Sequence, residues 1–181
     1  AGLVEARSGS IRFEGEELAG MPAPDIARRG IGYVPQGRGL FTGMSVRENL
    51  LLGAYSIKEK EKKLETLDFV FNLFPRLEER KGQLAGTMSG GERKMLAIAR
   101  GMMSTPELML VDEPSLGLAP HLGTDVFNSL RTLNEAGVTI LLVEQRVNAT
   151  LEIASRAYVM EHGRVVLEGP SSELGTNPHV K

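Results

Sequence analysis

Two adjacent carboxylates, Asp112 and Glu113, close the apolar run Leu108-Met109-Leu110-Val111 and stand before Pro114. Like charges side by side at the end of a buried strand repel and resist ionisation unless a cation or hydrogen bonds compensate them. A bound Mg2+ supplies that compensation. Asp112 would hold the metal through its water shell, and Glu113, turned toward the C-terminal rim of a sheet, would orient a water for attack on a phosphoryl group. Taken alone, the pair also suits an acidic turn after a strand.

Upstream lies Met88-Ser89-Gly90-Gly91-Glu92, heading a stretch with Met95, Leu96, Ile98, Ala99 and Met102 at helical spacing. Ser89 and Glu92 have the spacing of a capping box. Two glycines in a first turn lose about 0.8–1.0 kcal/mol each of helix propensity relative to Ala. That loss makes sense if bare backbone amides must approach a ligand, and a helix N-terminus with a Ser hydroxyl favours a phosphate. A plain cap is the competing reading.

These residues need elements to position them. From Met88 onward the pattern is helix, strand, helix, strand: Leu108 to Val111, the stripe Leu122, Val126, Leu130 and Leu133 ended by Gly137, then Thr139 to Val143. Continuous apolar strands separated by a helix predict a parallel sheet covered on both faces. Ile31 to Pro35 reads as another short buried strand, with Gln36 to Leu40 looping from its C-terminal end, where ligands sit in open α/β sheets. Ser45 and Glu48 open a second capped helix before Leu50, Leu51 and Leu52. The alternating charges of Lys58 to Lys63 read as a solvated helix start, followed by an inward stripe from Leu64 to Leu77 interrupted near Pro75. Ser10 to Leu18 reads as an exposed hairpin arm, Pro22 to Arg29 as a short helix, and Tyr158 to Leu167 as a hairpin turning at Gly163, with His162 a turn residue.

The 181 residues, 41% hydrophobic and 24% charged, fit one soluble globular domain. Lys and Arg number 21 against 23 for Asp and Glu, so there is no overall basic field and no support for a nucleic-acid partner. Without Cys there is no disulfide framework, thiolate metal site or cysteine nucleophile, and His121, His162 and His179 are scattered. No apolar run approaches the roughly 20 residues that span a bilayer. Ala1 to Ala6 reads as the tail of a helix entering the Ser8-Gly9-Ser10 turn.

Met88-Ser89-Gly90-Gly91-Glu92 resembles the signature motif of ATP-binding cassette (ABC) ATPases, and the strand through Asp112 and Glu113 resembles their Walker B motif with its catalytic glutamate. Tyr33-Val34-Pro35-Gln36 is similar to their Q-loop, and Ser115-Leu116-Gly117-Leu118-Ala119-Pro120 to their D-loop. The order of all four is the family's. The wording Val34 to Phe41, Glu48-Asn49-Leu50 and Leu142-Val143-Glu144-Gln145 is most similar to LivF-type subunits of branched-chain amino-acid importers.

The resemblance implies an α/β fold: a P-loop NTPase (RecA-like) parallel-sheet core with an inserted ABC helical subdomain and a C-terminal β-hairpin. One ABC domain would span 1–181, its helical subdomain 37–100, its β core 1–36 and 101–181. It implies an ATPase using ATP and Mg2+, with Glu113, Gln36 and Gln145 catalytic. Asp112, through water, and Gln36 would serve the metal, and Gln36 would relay nucleotide state to membrane subunits. Ser89, Gly90, Gly91 and Glu92 would bind ATP held mainly by an opposite subunit, so hydrolysis would need a dimer. The implied partners are a second ABC ATPase subunit, LivG-like or a second copy, transmembrane permease subunits and, indirectly, a periplasmic or extracellular substrate-binding protein. The implied place is the cytoplasmic face of the membrane. Permease docking would fall between Gly37 and Tyr55, around Arg38, Leu40, Phe41 and Met44.

Glu92 stands where Gln is usual, Ala119 where the D-loop has Asp, and Gln145 where the family has its switch histidine. Gln145 can hydrogen-bond a γ-phosphate but cannot carry a positive charge. A larger departure is that no G-x-x-x-x-G-K-[ST] phosphate loop occurs in these residues. A micromolar nucleotide site has about 8 kcal/mol of binding free energy, and each hydrogen bond to a charged group contributes about 1.5–3 kcal/mol. Losing three leaves a millimolar site or weaker. The expectation is a cassette short of its N-terminal strand and phosphate loop and inactive alone, with the sheet unpaired around Val111 and the C-terminal end clipped too. A urea or amide importer ATPase, a soluble ABC ATPase of repair or translation, and a noncatalytic ABC interaction module remain as alternatives.

Overall fold

A computed structural model describes residues 1–37, 39–178 and 180. Arg38, on which part of the expected docking surface falls, and His179 lie outside the described residues.

Three strands, β3 (Ile31–Val34), β4 (Leu108–Asp112) and β5 (Thr139–Val143), form a parallel sheet in that order. Before them come a small hairpin of β1 (Arg12–Phe13) and β2 (Glu16–Glu17), and helix α1 (Ala23–Arg28). Glu14 and Gly15, at φ 49° and 80°, make the turn that two-residue hairpins prefer. After β3 come helices α2 (Val46–Gly53), α3 (Lys60–Leu73), α4 (Pro75–Glu79) and α5 (Gly90–Met102). Helix α6 (Pro120–Glu135) crosses from β4 to β5, as parallel pairing requires. The chain continues through α7 (Val147–Ile153), the antiparallel pair β6 (Arg156–Glu161) and β7 (Arg164–Pro170), and α8 (Ser171–Leu174). His162 and Gly163 turn that hairpin at φ 48° and 77°.

The buried residues Met109 and Val111 of β4 point toward Leu96, Ile98 and Ala99 of α5 and Val126, Leu130 and Leu133 of α6, which form one continuous core. Period-two alternation sends the neighbouring side chains to the opposite face. There Ile26 and Ile31 reach Leu108 and Leu110, but Leu141 and Val143 stay 54% and 55% exposed. Among the described residues the sheet is therefore not covered on both faces. The expected gap at Val111 is also corrected: β4 is the central strand, with Val111 registered against Val34 on one side and Leu142 on the other.

Residues 1–6 are not helical. Gly2 sits at φ 71°, outside the helical region, and Val4 is 89% exposed.

Candidate functional site

The C-terminal ends of all three parallel strands meet at one carboxylate. The Gln36 side-chain amide, just past β3, donates to Glu113 Oε2 at 2.6 Å. That of Gln145, just past β5, donates to Oε1 at 2.7 Å. Glu113 itself leaves β4 at φ 40°, and its backbone N–H donates to the Val143 carbonyl at 2.8 Å. A positive φ at a side-chain-bearing residue stores strain, which persists where surrounding contacts over-determine it. Here Pro114, the backbone bond to Val143 and the two amides hold it. A carboxylate has about four lone-pair positions, so two amide donors leave room for a water on the same group.

Asp112, the last residue of β4, is placed differently. Its Oδ2 lies 3.4 Å from the Tyr33 hydroxyl, a long and weak hydrogen bond. Desolvation of the phenol first, and then the Asp112 charge, push Tyr33 above the ordinary tyrosine range. Asp112 and the Gln36 amide offer only oxygen ligands, which suits a hard cation such as Mg2+. Among the described residues no cluster of three or more acids and histidines forms a closed metal cage. An ion held here would need phosphate and water for its other positions, which is how Mg2+ sits in nucleotide sites.

Helix α5 begins as its motif predicts. Ser89 is the N-cap, its hydroxyl accepting from the Glu92 N–H at 3.3 Å, while Glu92 Oε2 accepts from the Ser89 N–H at 2.8 Å. Glu92 Oε1 faces Arg80 at 3.2 Å. The backbone bond from Ser89, then its hydroxyl and the cations Arg80 and Arg76, hold Glu92 below the usual carboxylate range against the opposing effect of burial. Its carboxylate thus caps α5 and pairs with Arg80. A Cβ at Gly91 would press on the Leu122 side chain of α6 at 3.0–3.3 Å. Close packing of α5 on α6 is thus one constraint that keeps Gly91 without a side chain.

One cleft opens at Glu113 and another at Gln36. The first, about 330 Å³, is lined by Glu113, Ser115, Glu144, Gln145 and Arg146; the second, about 420 Å³, by Gln36, Thr42, Arg93 and Lys94. Neither includes Ser89, Gly90 or Gly91. The structure brings Gln36, Glu113 and Gln145 together, and the signature residues are not among them.

Sequence reasoning missed the side chains that hold the Gln36 loop. Lys94, buried in the second turn of α5, donates to the Gln36 carbonyl at 3.0 Å. Arg100 donates to the Gly39 carbonyl at 2.8 Å and lies over the Phe41 ring. Asn49, fully buried, binds both backbone groups of Phe41 at 3.0 Å. The available signal was a Lys and an Asn at positions the apolar periodicity assigns to the interior. In the expected docking segment Phe41 and Tyr55 are exposed, whereas Leu40 packs against the core and Met44 is half-buried.

The sequence pattern of the ABC transporter family matches residues 1–116. A high-affinity branched-chain amino acid transport ATP-binding protein, BraG of Pseudomonas aeruginosa, is 49% identical over 180 residues, spanning 99% of this chain and 77% of its own length. A probable branched-chain amino acid transport ATP-binding protein, LivF of Archaeoglobus fulgidus, is 36% identical over 96% of this chain and 73% of its own. Among solved structures, an ATP-binding cassette of an ABC transporter in its ADP conformation superposes with a TM-score of 0.87 at 27% identity, over 99% of this chain and 77% of that one.

Proposed function

This chain belongs to the ABC transporter family and has its P-loop NTPase fold, and from that premise we propose that it is the ATP-hydrolysing subunit of a branched-chain amino-acid importer. The observation that carries the catalytic part is the convergence of Gln36, Glu113 and Gln145 from three strand ends. Glu113 would orient the attacking water and take its proton. Gln36 and Gln145 would aim that carboxylate, and Gln145 would also donate to the γ-phosphate. Mg2+, held by Asp112 through water and by the Gln36 amide oxygen, would neutralise phosphate charge when bound.

The signature residues Ser89, Gly90 and Gly91 do not line the clefts beside Glu113 and Gln36, which supports a role toward nucleotide carried by an opposite subunit, a second copy or a LivG-like partner. Exposed Phe41 and Tyr55 support permease contact in the segment between Gly37 and Tyr55. None of the described helices is long and apolar enough to cross a membrane, so a place on the cytoplasmic face would come through that contact.

The names of BraG and LivF favour branched-chain amino acids as the cargo. The ATPase site never meets the cargo, and a urea or amide importer would use the same chemistry. Uptake of labelled leucine, isoleucine and valine, compared with urea, by cells with and without this gene separates them. Loss of branched-chain uptake alone is expected; loss of urea uptake alone would overturn the cargo assignment.

A further inference from the structure

The Glu144 carboxylate sits between the two loops that bear Glu113 and Gln145. Its Oε1 accepts the Ser115 N–H at 2.8 Å, and its Oε2 accepts the Gln145 N–H at 3.0 Å and that of Arg146 at 3.4 Å. The parallel ladder between β4 and β5 ends with Asp112 against Val143, followed by one bond from the Glu113 N–H to the Val143 carbonyl. Beyond that point the two backbones have no mutual hydrogen bonds among those of the described residues. Ser115 is buried, and a buried loop N–H without an acceptor is destabilising.

We propose that Glu144 is a positioning residue for ATP hydrolysis: its carboxylate replaces the ladder where the strands have parted and fixes the Glu113 loop against the Gln145 loop. The proposal rests on the assignment of Glu113 above. The chemistry needs two acceptor oxygens facing different loops, which an ionised carboxylate provides. A Gln side chain has the same shape but only one acceptor. Its NH2 would face a backbone donor, so Glu144→Gln satisfies one loop and releases the other.

The test reads position first and rate second. In the 181-residue chain, Glu144→Gln should speed amide hydrogen exchange at Ser115, or at Gln145 and Arg146, by about tenfold or more. The side-chain NH2 resonances of Gln145 should move toward those of a solvated amide, while amides inside β4 and β5 keep their protection. Glu144→Asp, which keeps both oxygens on a shorter arm, is read the same way if the Gln variant does not fold. In the assembled transporter, Glu144→Gln should lower kcat about tenfold, with KM for ATP changed by no more than about twofold. Unchanged exchange at all three amides overturns the proposal, as does loss of protection spread evenly through both strands. Loosened amides with unchanged kcat also overturn it, because Glu144 would then be structural only. Failure of the Glu113 assignment is separate: it would appear as normal turnover in a Glu113 variant, whatever Glu144 does.

Discussion

Gln36 and Glu113, 77 positions apart in the chain, meet at 2.6 Å above the C-terminal edge of the parallel sheet. Neither residue reaches this contact through its own strand alone. The Gln36 loop is held from α5 by Lys94 and Arg100, and the Glu113 loop from the β5 side by Val143 and Glu144. The helix that starts with the signature residues thus also holds the glutamine that touches the candidate catalytic carboxylate.

Lys94→Met removes the ammonium that donates to the Gln36 carbonyl. A hydrogen bond from a charged group contributes about 1.5–3 kcal/mol, so ATP turnover by the transporter should fall by about tenfold to a hundredfold. Lys94→Arg should recover part of it. Steady-state ATPase assays on both variants check this, and equal, unimpaired rates would show that α5 does not position Gln36.

Two glycines separate a tight contact from a loose one. A methyl at Gly53 would overlap the Arg100 carbonyl oxygen and approach Met103 Cβ at 2.9 Å, so α2 and α5 would have to part. A methyl at Gly123 would meet only the end of the exposed Arg146 side chain at close range, which can swing away. Gly53→Ala should destabilise by about 1–3 kcal/mol, as over-packing does, and lower Tm by several degrees. Gly123→Ala should stay within about 0.5 kcal/mol of the parent. Equal shifts in thermal unfolding would contradict the packing described for α2 and α5.

Glu92 makes the cap of α5 sensitive to acid. Its folded-state pKa is lowered, chiefly by the Ser89 N–H, so its contribution is present above the unfolded-state pKa and is lost as pH falls through the folded one. Glu92→Gln should therefore be less stable than the parent at neutral pH, and the gap should close as pH falls through and below about 4.3. Ser89→Ala should cost about 1 kcal/mol. Tm measured against pH checks both, and a gap that widens in acid would refute the assigned cause.

The 181 residues contain no G-x-x-x-x-G-K-[ST] loop. Such a loop supplies the amides and Lys that cradle the β and γ phosphates. The purified 181-residue chain alone should accordingly show no ATP turnover and no ATP affinity tighter than about millimolar. Turnover that disappears with Glu113→Gln would contradict this.

Much of the architecture was legible because it depends on local pattern. Ser45 with Glu48 and Ser89 with Glu92 each form the capping box their spacing announced, and Leu108 to Val111 and Thr139 to Val143 form the parallel strands. Of the site, Gln36, Glu113 and Gln145 were named from motif resemblance, but their meeting at a single carboxylate depends on strand order. The periodicity of β5 could not show that Leu141 and Val143 lack a covering layer, since a continuous apolar run reads the same whether or not a partner lies over it. Lys94, Arg100, Asn49 and Glu144 went unread for a related reason. Each acts on backbone groups, across the fold for Lys94 and Arg100 and partly nearby for Asn49 and Glu144, and backbone atoms leave no trace in residue type. The packing constraint on Gly91 was equally out of sight, because Leu122, which imposes it, lies on another helix.

The most direct test of the account is the rate of ATP hydrolysis by the assembled transporter when this subunit carries Glu113→Gln, measured alongside ATP binding. If Glu113 orients the attacking water, kcat should fall by about 10²–10⁴-fold while ATP is still bound, since general-base contributions are of that size. Hydrolysis continuing at the parent rate would contradict the central claim and leave the convergence of Gln36 and Gln145 on Glu113 as a structural contact.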